Sequence, residues 1–184
     1  MRSIKSPALR ALAVLLVLGV PLVASAAFRA TGTPNVAMSV TGTLGLHIEG
    51  TTRELSVVDD GTKVTVRVGL RRLGSGIELR DHHMRDTYLQ VGRFPNAELI
   101  IDRSALRVPT TAPVSANVRG QLKLHGQTRN VTFHYEARRD HNAIRVTGRL
   151  QFNMNDFGII VPVYMGITVR PAVDVNVTFA VAEQ

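Results

Sequence analysis

Cysteine and tryptophan are both missing from this 184-residue chain. Without cysteine there can be no disulfide, no thiol nucleophile, no thiolate-bound metal and no lipid-modified N-terminal cysteine. Stability must then come from core burial and hydrogen bonding. Aromatic residues are also scarce, with three Tyr and six Phe. Few side chains could stack on bases, which argues against nucleic acid as a partner. One apolar run stands out, residues 11–24. As a helix it would span roughly 21 Å, short of a bilayer core of about 30 Å.

That run has the order of an export signal. Arg2, Lys5 and Arg10 precede it, and Ala24-Ser25-Ala26 closes it with the small-x-small pattern of a cleavage site. Residues 1–26 are therefore expected to be removed on export to the periplasm. Residues 27–184 then form one domain, large enough to bury a sizeable core.

The formal charge is +8; subtracting the three N-terminal cations leaves +5. The basic residues are spread along strands, at Arg67, Arg119, Lys123, Arg129, Arg145 and Arg149. They read as solvated outer faces, with some scope for peripheral contact with an anionic membrane surface. The sequence does not choose between monomer and homodimer.

Period-two alternation dominates the remainder. Val64, Val66, Val68 and Leu70 alternate with Lys63, Thr65 and Arg67. Leu122 and Leu124 flank Lys123, and Val131, Phe133 and Tyr135 alternate with Thr132, His134 and Glu136. Ile144, Val146, Leu150 and Phe152 share one parity, as do Val173, Val175, Val177 and Phe179. Each pattern predicts a strand with one dry and one wet face. Asp59-Asp60-Gly61, His125-Gly126-Gln127 and Asp140-His141-Asn142 predict hairpin turns, and Pro109 and Pro113 bound a loop. The result is an all-β fold, an antiparallel eight-stranded barrel or sandwich. Residues 77–91 break the alternation; Met84 and Tyr88, four apart, predict a short helix with both facing inward. A faint echo links residues 44–53 to residues 122–129, as if the two were similar hairpins.

Three motifs carry a family resemblance. Arg80-Asp81-His82-His83-Met84-Arg85 continues through Tyr88-Leu89-Gln90-Val91-Gly92-Arg93-Phe94-Pro95. Gly120-Gln121-Leu122-Lys123-Leu124-His125-Gly126-Gln127-Thr128-Arg129 is the second, and Asn155-Asp156-Phe157-Gly158-Ile159 the third. In order and spacing they resemble the YceI-like family of periplasmic polyisoprenoid-binding proteins. The N-terminal part departs from the family pattern, with residues 28–48 short and interrupted by glycine. The resemblance implies a lipocalin-like barrel whose apolar lumen takes an isoprenoid chain.

Catalytic and metal chemistry find little support. No nucleophile elbow, phosphate loop or dinucleotide fingerprint occurs. Adjacent His82 and His83 point about 100° apart on a helix, and His47, His125 and His134 fall on wet parities or in turns. Asp81 and Asp156 read as capping or turn carboxylates. No catalytic residue, metal or cofactor is assigned.

The candidate lumen is the set of dry-face residues: Val64, Val66, Val68, Leu99, Ile101, Leu122, Leu124, Val131, Phe133, Tyr135, Val146, Leu150, Phe152, Val173, Val175, Val177 and Phe179. Burying an isoprene unit there gains about 3 kcal/mol before ordering costs. Arg80, Asp81, His83, Arg85 and Tyr88 form a second candidate set. They either hold the helix against the wall through an Arg–Asp pair or contact a ligand head group. The expected function is a carrier for a polyisoprenoid or another long apolar molecule. The alternatives are a ligand-free envelope accessory or stress protein with a packed barrel, and a lipid-modifying enzyme centred near Asp81 and His83.

Overall fold

The computed structural model describes residues 27–164 and 167–183, the side chains of Tyr164 and Ile167 excepted. The expected export signal lies outside the described residues. The strands are β1 (Phe28–Gly42), β2 (His47–Thr52), β3 (Leu55–Asp59), β4 (Lys63–Gly69), β5 (Asn96–Asp102), β6 (Val114–Leu124), β7 (Gln127–Asp140), β8 (Ala143–Asn153), β9 (Val163–Tyr164) and β10 (Ile167–Glu183). A short helix, α1 (Glu78–His82), stands between β4 and β5 and continues as a wider turn over His83–Tyr88.

The sheet runs β2-β1-β10-β8-β7-β6-β5-β4-β3 with antiparallel pairings, and β9 hangs on β10. Nine strands thus make the wall where the sequence predicts eight. The extra one comes from a bend. Only Arg53 and Glu54 separate β2 from β3; β2 pairs with β1, whereas β3 pairs with β4. One strand position is split in two where Thr52 Oγ1 accepts the Glu54 N–H at 3.2 Å. β3 lies alongside β1, and the Phe28 N–H donates to Asp59 Oδ2 at 3.1 Å across this seam. The seam nearly closes the barrel, which leaves little of the wall as an unpaired edge.

The alternation reads correctly because the wall is dry inside and wet outside. The predicted turns are present. In the β3–β4 turn, Asp60 Oδ1 accepts the N–H groups of Thr62 and Lys63 at 2.8 and 2.7 Å. These bonds, Lys63's foremost, hold the Asp60 carboxyl below the usual carboxylate range. At the β6–β7 turn, His125 and Gly126 both adopt positive φ (50° and 75°), the geometry a two-residue hairpin loop needs.

Two expectations change. Residues 28–42 form a long strand despite Gly32 and Pro34. The register jumps between Thr31 and Asn35, so Gly32-Thr33-Pro34 sits in a bulge and the ladder resumes beyond it. The echo between residues 44–53 and 122–129 is not structural. Leu44 and Gly45 form a turn tip in the first copy, whereas Leu122 and Leu124 lie within a strand in the second.

Candidate functional site: an apolar chamber inside the barrel

Inward side chains pack into two clusters, one toward each end of the barrel. At the helical end, Leu70, Leu73 and Val91 join Met154 and Phe157 from the 3-10 turn Met154–Phe157. Met84 and Tyr88 pack, half-buried, on this cluster, so both face inward as their spacing predicts. Phe152 meets Phe157 edge-to-face at 5.4 Å. At the other end, Phe28, Val64, Ile101, Phe133, Tyr135, Ile144, Phe179 and Val181 pack together.

Between the clusters the burial changes. Val66, Leu99, Val146, Leu150, Val175 and Val177 point inward yet are only half-buried. They pack on the two clusters at their flanks and border an apolar cavity of about 170 Å³. It is slightly larger than a dry cavity of about 150 Å³ that holds a benzene molecule. Gly148 helps make the room, because it faces inward without a side chain. A Cβ there would come within 2.9 Å of Val177 Cγ2.

Most of the candidate lumen residues border this cavity: Val64, Val66, Val68, Leu99, Ile101, Leu122, Leu124, Phe133, Tyr135, Val146, Leu150, Phe152, Val175, Val177 and Phe179. Val131 and Val173 do not. Val173 is buried in the helical-end cluster. Val131 stands opposite Gly120 and packs half-buried on that cluster, where it also borders a groove lined by Asn130 and Thr132.

Several boundary residues escaped sequence reading. Val57 follows the alternation and could have been found by extending it, and Ile144 shares the dry parity of Val146 but was left out of the candidate set. Leu106, Arg107, Val108 and Pro109 could not be found this way, because they belong to the aperiodic loop between β5 and β6. This loop is a strap. The Tyr135 hydroxyl accepts the Arg107 N–H at 2.8 Å and donates to the Arg107 carbonyl at 3.2 Å. Arg139 Nε donates to the Pro109 carbonyl at 3.3 Å, and Pro109 is fully buried.

The polar set at residues 80–88 lies away from the cavity wall. Asp81, 8% exposed, accepts from both the N–H and the hydroxyl of Ser75. Arg80 Nε donates to the same hydroxyl oxygen at 2.7 Å, so Ser75 stands between arginine and aspartate where a direct pair is expected. Burial pushes the Asp81 carboxyl up. The bonds from Ser75 and the Gly76 N–H, with the charge of Arg85, outweigh it and hold the group below its ordinary value. Arg85 donates to the Leu73 carbonyl at 3.2 Å. His83 is exposed beside His82, which contacts Asp86 at 2.7 Å. Within this set the observed bonds pin the 73–76 loop to the helix.

His125 lies in a turn, as expected, but is not simply solvated. Its Nδ1 pairs with the Phe157 carbonyl at 3.0 Å, its ring meets Phe94 edge-on at 4.8 Å, and its buried Nε2 has no partner. Among the described residues no three His, Asp or Glu side chains converge as a metal site would require.

The fold and the chamber define a nearly closed antiparallel β-barrel with an apolar interior cavity. The YceI-like domain model matches residues 23–181, and the chain belongs to that family. Among solved structures, it is similar to a polyisoprenoid-binding domain from Saccharophagus degradans implicated in plant cell wall breakdown. That match has a TM-score of 0.72 and 14% identity, and covers 86% of this chain and 99% of that one. It is also similar to Burkholderia cenocepacia BcnA (TM-score 0.61, 15% identity, 79% and 95% covered). Campylobacter jejuni YCEI protein is a third (TM-score 0.56, 13% identity, 74% and 85% covered). At these identities the likeness is one of fold. No curated protein matches the chain in sequence.

Proposed function

We propose that this protein is a non-enzymatic periplasmic carrier that holds a polyisoprenoid or a similar apolar lipid in its barrel. The apolar chamber carries this reading: six inward apolar side chains between the two end clusters are only half-buried and border a cavity of about 170 Å³. An apolar chain placed there gains about 0.8 kcal/mol per methylene-sized group. The solved relative described as a polyisoprenoid-binding domain supports the ligand class. The charged, apolar and small-residue order of residues 1–26 supports export.

The cavity matches about one isoprene unit, so a longer chain must widen the lumen or thread past the strap. The wall has almost no polar group to offer. Its charged boundary residues are Arg107 in the strap and Arg149, and both are exposed. Selection therefore falls on chain width and length more than on a head group. Asp81 is engaged with Ser75 and His83 faces solvent, so the residues an enzyme reading needs do not meet in the lumen.

Native mass spectrometry of protein purified from its own envelope, followed by lipid extraction, tests the proposal. The expected result is a co-purifying apolar lipid and saturable binding of a fluorescent polyprenyl probe after delipidation. Absence of both refutes the carrier. Turnover of the bound lipid that is lost on replacing Asp81 and His83 together refutes the non-enzymatic reading.

A further inference from the structure

One joint in the barrel wall is much shorter than its neighbours. β6 pairs with β7 along its whole length, Val114–Leu124. With β5 it pairs only where residues 98–100 face residues 121–123. Beyond that point the two strands part. Among the described residues, 101 and 102 pair with β4 alone, and 114–120 pair with β7 alone. The ladder ends at Gly120, where a Cβ would stand 2.9 Å from the Ile100 carbonyl oxygen and 3.2 Å from Leu99 Cδ1. Glycine lets the strands meet there before they diverge.

A groove of about 400 Å³ lies over the gap. Its rim is polar and faces outward, with Lys63 and Asp102 paired at 2.9 Å on one side and Arg119 and Gln121 on the other. It is also bordered by Gly120 and Val131, whose parity points into the barrel. Behind Gly120 stand Leu99 and Ile101, and both border the chamber. Little more than these two side chains separates groove from chamber. The strap is the connection between the same two strands, so it spans the gap that they leave. Its Leu106 and Val108 close the chamber from that side, and at Arg107 and Pro109 it is bonded to Tyr135 and Arg139 of β7.

We propose that the β5–β6 joint, with the strap across it, is the portal through which an apolar chain enters and leaves the chamber. This inference rests on the carrier reading and says how that site is loaded. The other ways in are shut. Phe157, Leu70 and Leu73, all fully buried, plug the helical end. At the seam between β1 and β3, Phe28 and Val57 are buried. There the Asp59 carboxylate takes both the Phe28 N–H and Arg103 Nε, at 3.1 and 2.9 Å. A short ladder opens more readily than a long one, because parting it breaks fewer bonds and exposes less surface. Once β5 and β6 part, a chain in transit meets Leu99 and Ile101 on one side and Val118 and Leu122 on the other, all inward-facing and apolar. Opening of the joint then sets the rate of loading and release, as a lid does.

A protein without native cysteine can be stapled cleanly. Ile100 and Gln121 are opposed at the end of the short ladder, and neither borders the chamber. Opposed cross-strand positions are close enough for a disulfide after small adjustment. The exported Ile100→Cys/Gln121→Cys protein, oxidised and then reduced, is mixed with a fluorescent polyprenyl probe in a stopped-flow instrument. Thr147→Cys/Thr178→Cys, opposed on the long β8–β10 ladder, is the control. The oxidised staple should slow association and dissociation alike by more than tenfold, with the equilibrium affinity unchanged, and reduction should restore both rates. The control should show no redox effect. In the unaltered protein, amides bonded between β5 and β6 should exchange with deuterium faster than those bonded between β8 and β10. Equal rates in the oxidised and reduced staple, equal slowing by the control, or equal amide protection of the two ladders overturns the portal and leaves the carrier standing. No saturable binding by the parent overturns the carrier, and the portal with it.

Discussion

Val146→Trp distinguishes a chamber from a core. Val146 lies in β8, pairs with Ala137 and Phe179 across its two neighbours, and is half-buried on the cavity wall. An indole is larger than benzene, so it would occupy most of the 170 Å³. It adds on the order of 60–100 Å² of apolar surface, worth about 1.5–2.5 kcal/mol at ~25 cal/mol per Å². In a filled core the same change would cost about 1–3 kcal/mol in strain. Delipidated Val146→Trp should therefore melt at the parent temperature or a few degrees higher, since 1 kcal/mol moves a domain of this size by roughly 2–4 °C. Ligand binding should move the other way. Displacing one isoprene unit removes about 3 kcal/mol, a loss of about 100-fold in affinity. The assays are thermal unfolding by circular dichroism and titration with a fluorescent polyprenyl probe, with Val66→Trp in parallel. A melting temperature lowered by more than about 3 °C in both variants, together with no saturable binding by the parent, would show that the barrel is full.

Three further outcomes are expected. Met84→Asp places a charge against the helical-end cluster and should cost about 2–4 kcal/mol, read as an equal loss in chemical-denaturation stability; no change would detach the helix from the core. Asp81 has a folded pKa below its unfolded value, so its contribution is present above about pH 4 and is lost as pH falls through the folded pKa. Asp81→Asn should be less stable by about 1–2 kcal/mol at neutral pH and lose less on acidification, and parallel acid profiles would contradict this. Tyr135→Phe removes both bonds to Arg107; exchange at the Arg107 amide should accelerate by more than tenfold, and unchanged protection would show that the strap is held by other contacts.

The wall of this protein was legible because a barrel strand must alternate. Val64, Val66 and Val68 face in while Lys63 and Arg67 pair outward with Asp102 and Glu98 at 2.9 and 2.8 Å. Patterning fails where local chemistry overrides the ladder. The bend at Arg53 and Glu54 is two residues long and carries no Gly or Pro to announce it. Gly32 and Pro34 announce a break that the bulge absorbs. The strap was invisible for another reason: its anchors, Tyr135 and Arg139, stand about thirty residues away on β7 and lie across the barrel mouth only after the sheet has formed.

The chamber itself was half legible. Parity selects which side chains point inward, but emptiness depends on the sum of their volumes around the closed wall, which no single strand reveals. Val66, Leu99 and Val175 look like core residues in one dimension; Gly148 and the two terminal plugs are what leave space between them. The dense polar motif stayed ambiguous for another reason. In sequence Arg80, Asp81 and Arg85 suit either a helix anchor or a head-group contact, and only the fold shows each of them bonded to Ser75 or Leu73 on the 73–76 loop. A buried carboxylate already bonded by two donors of Ser75 gains little from a ligand and would pay desolvation to exchange one partner for another. The motif's physical role is to hold the loop that brings Leu73 into the helical-end plug. The lumen thereby stays closed at that end, and under the proposed carrier function recognition rests on the fit of a hydrocarbon chain.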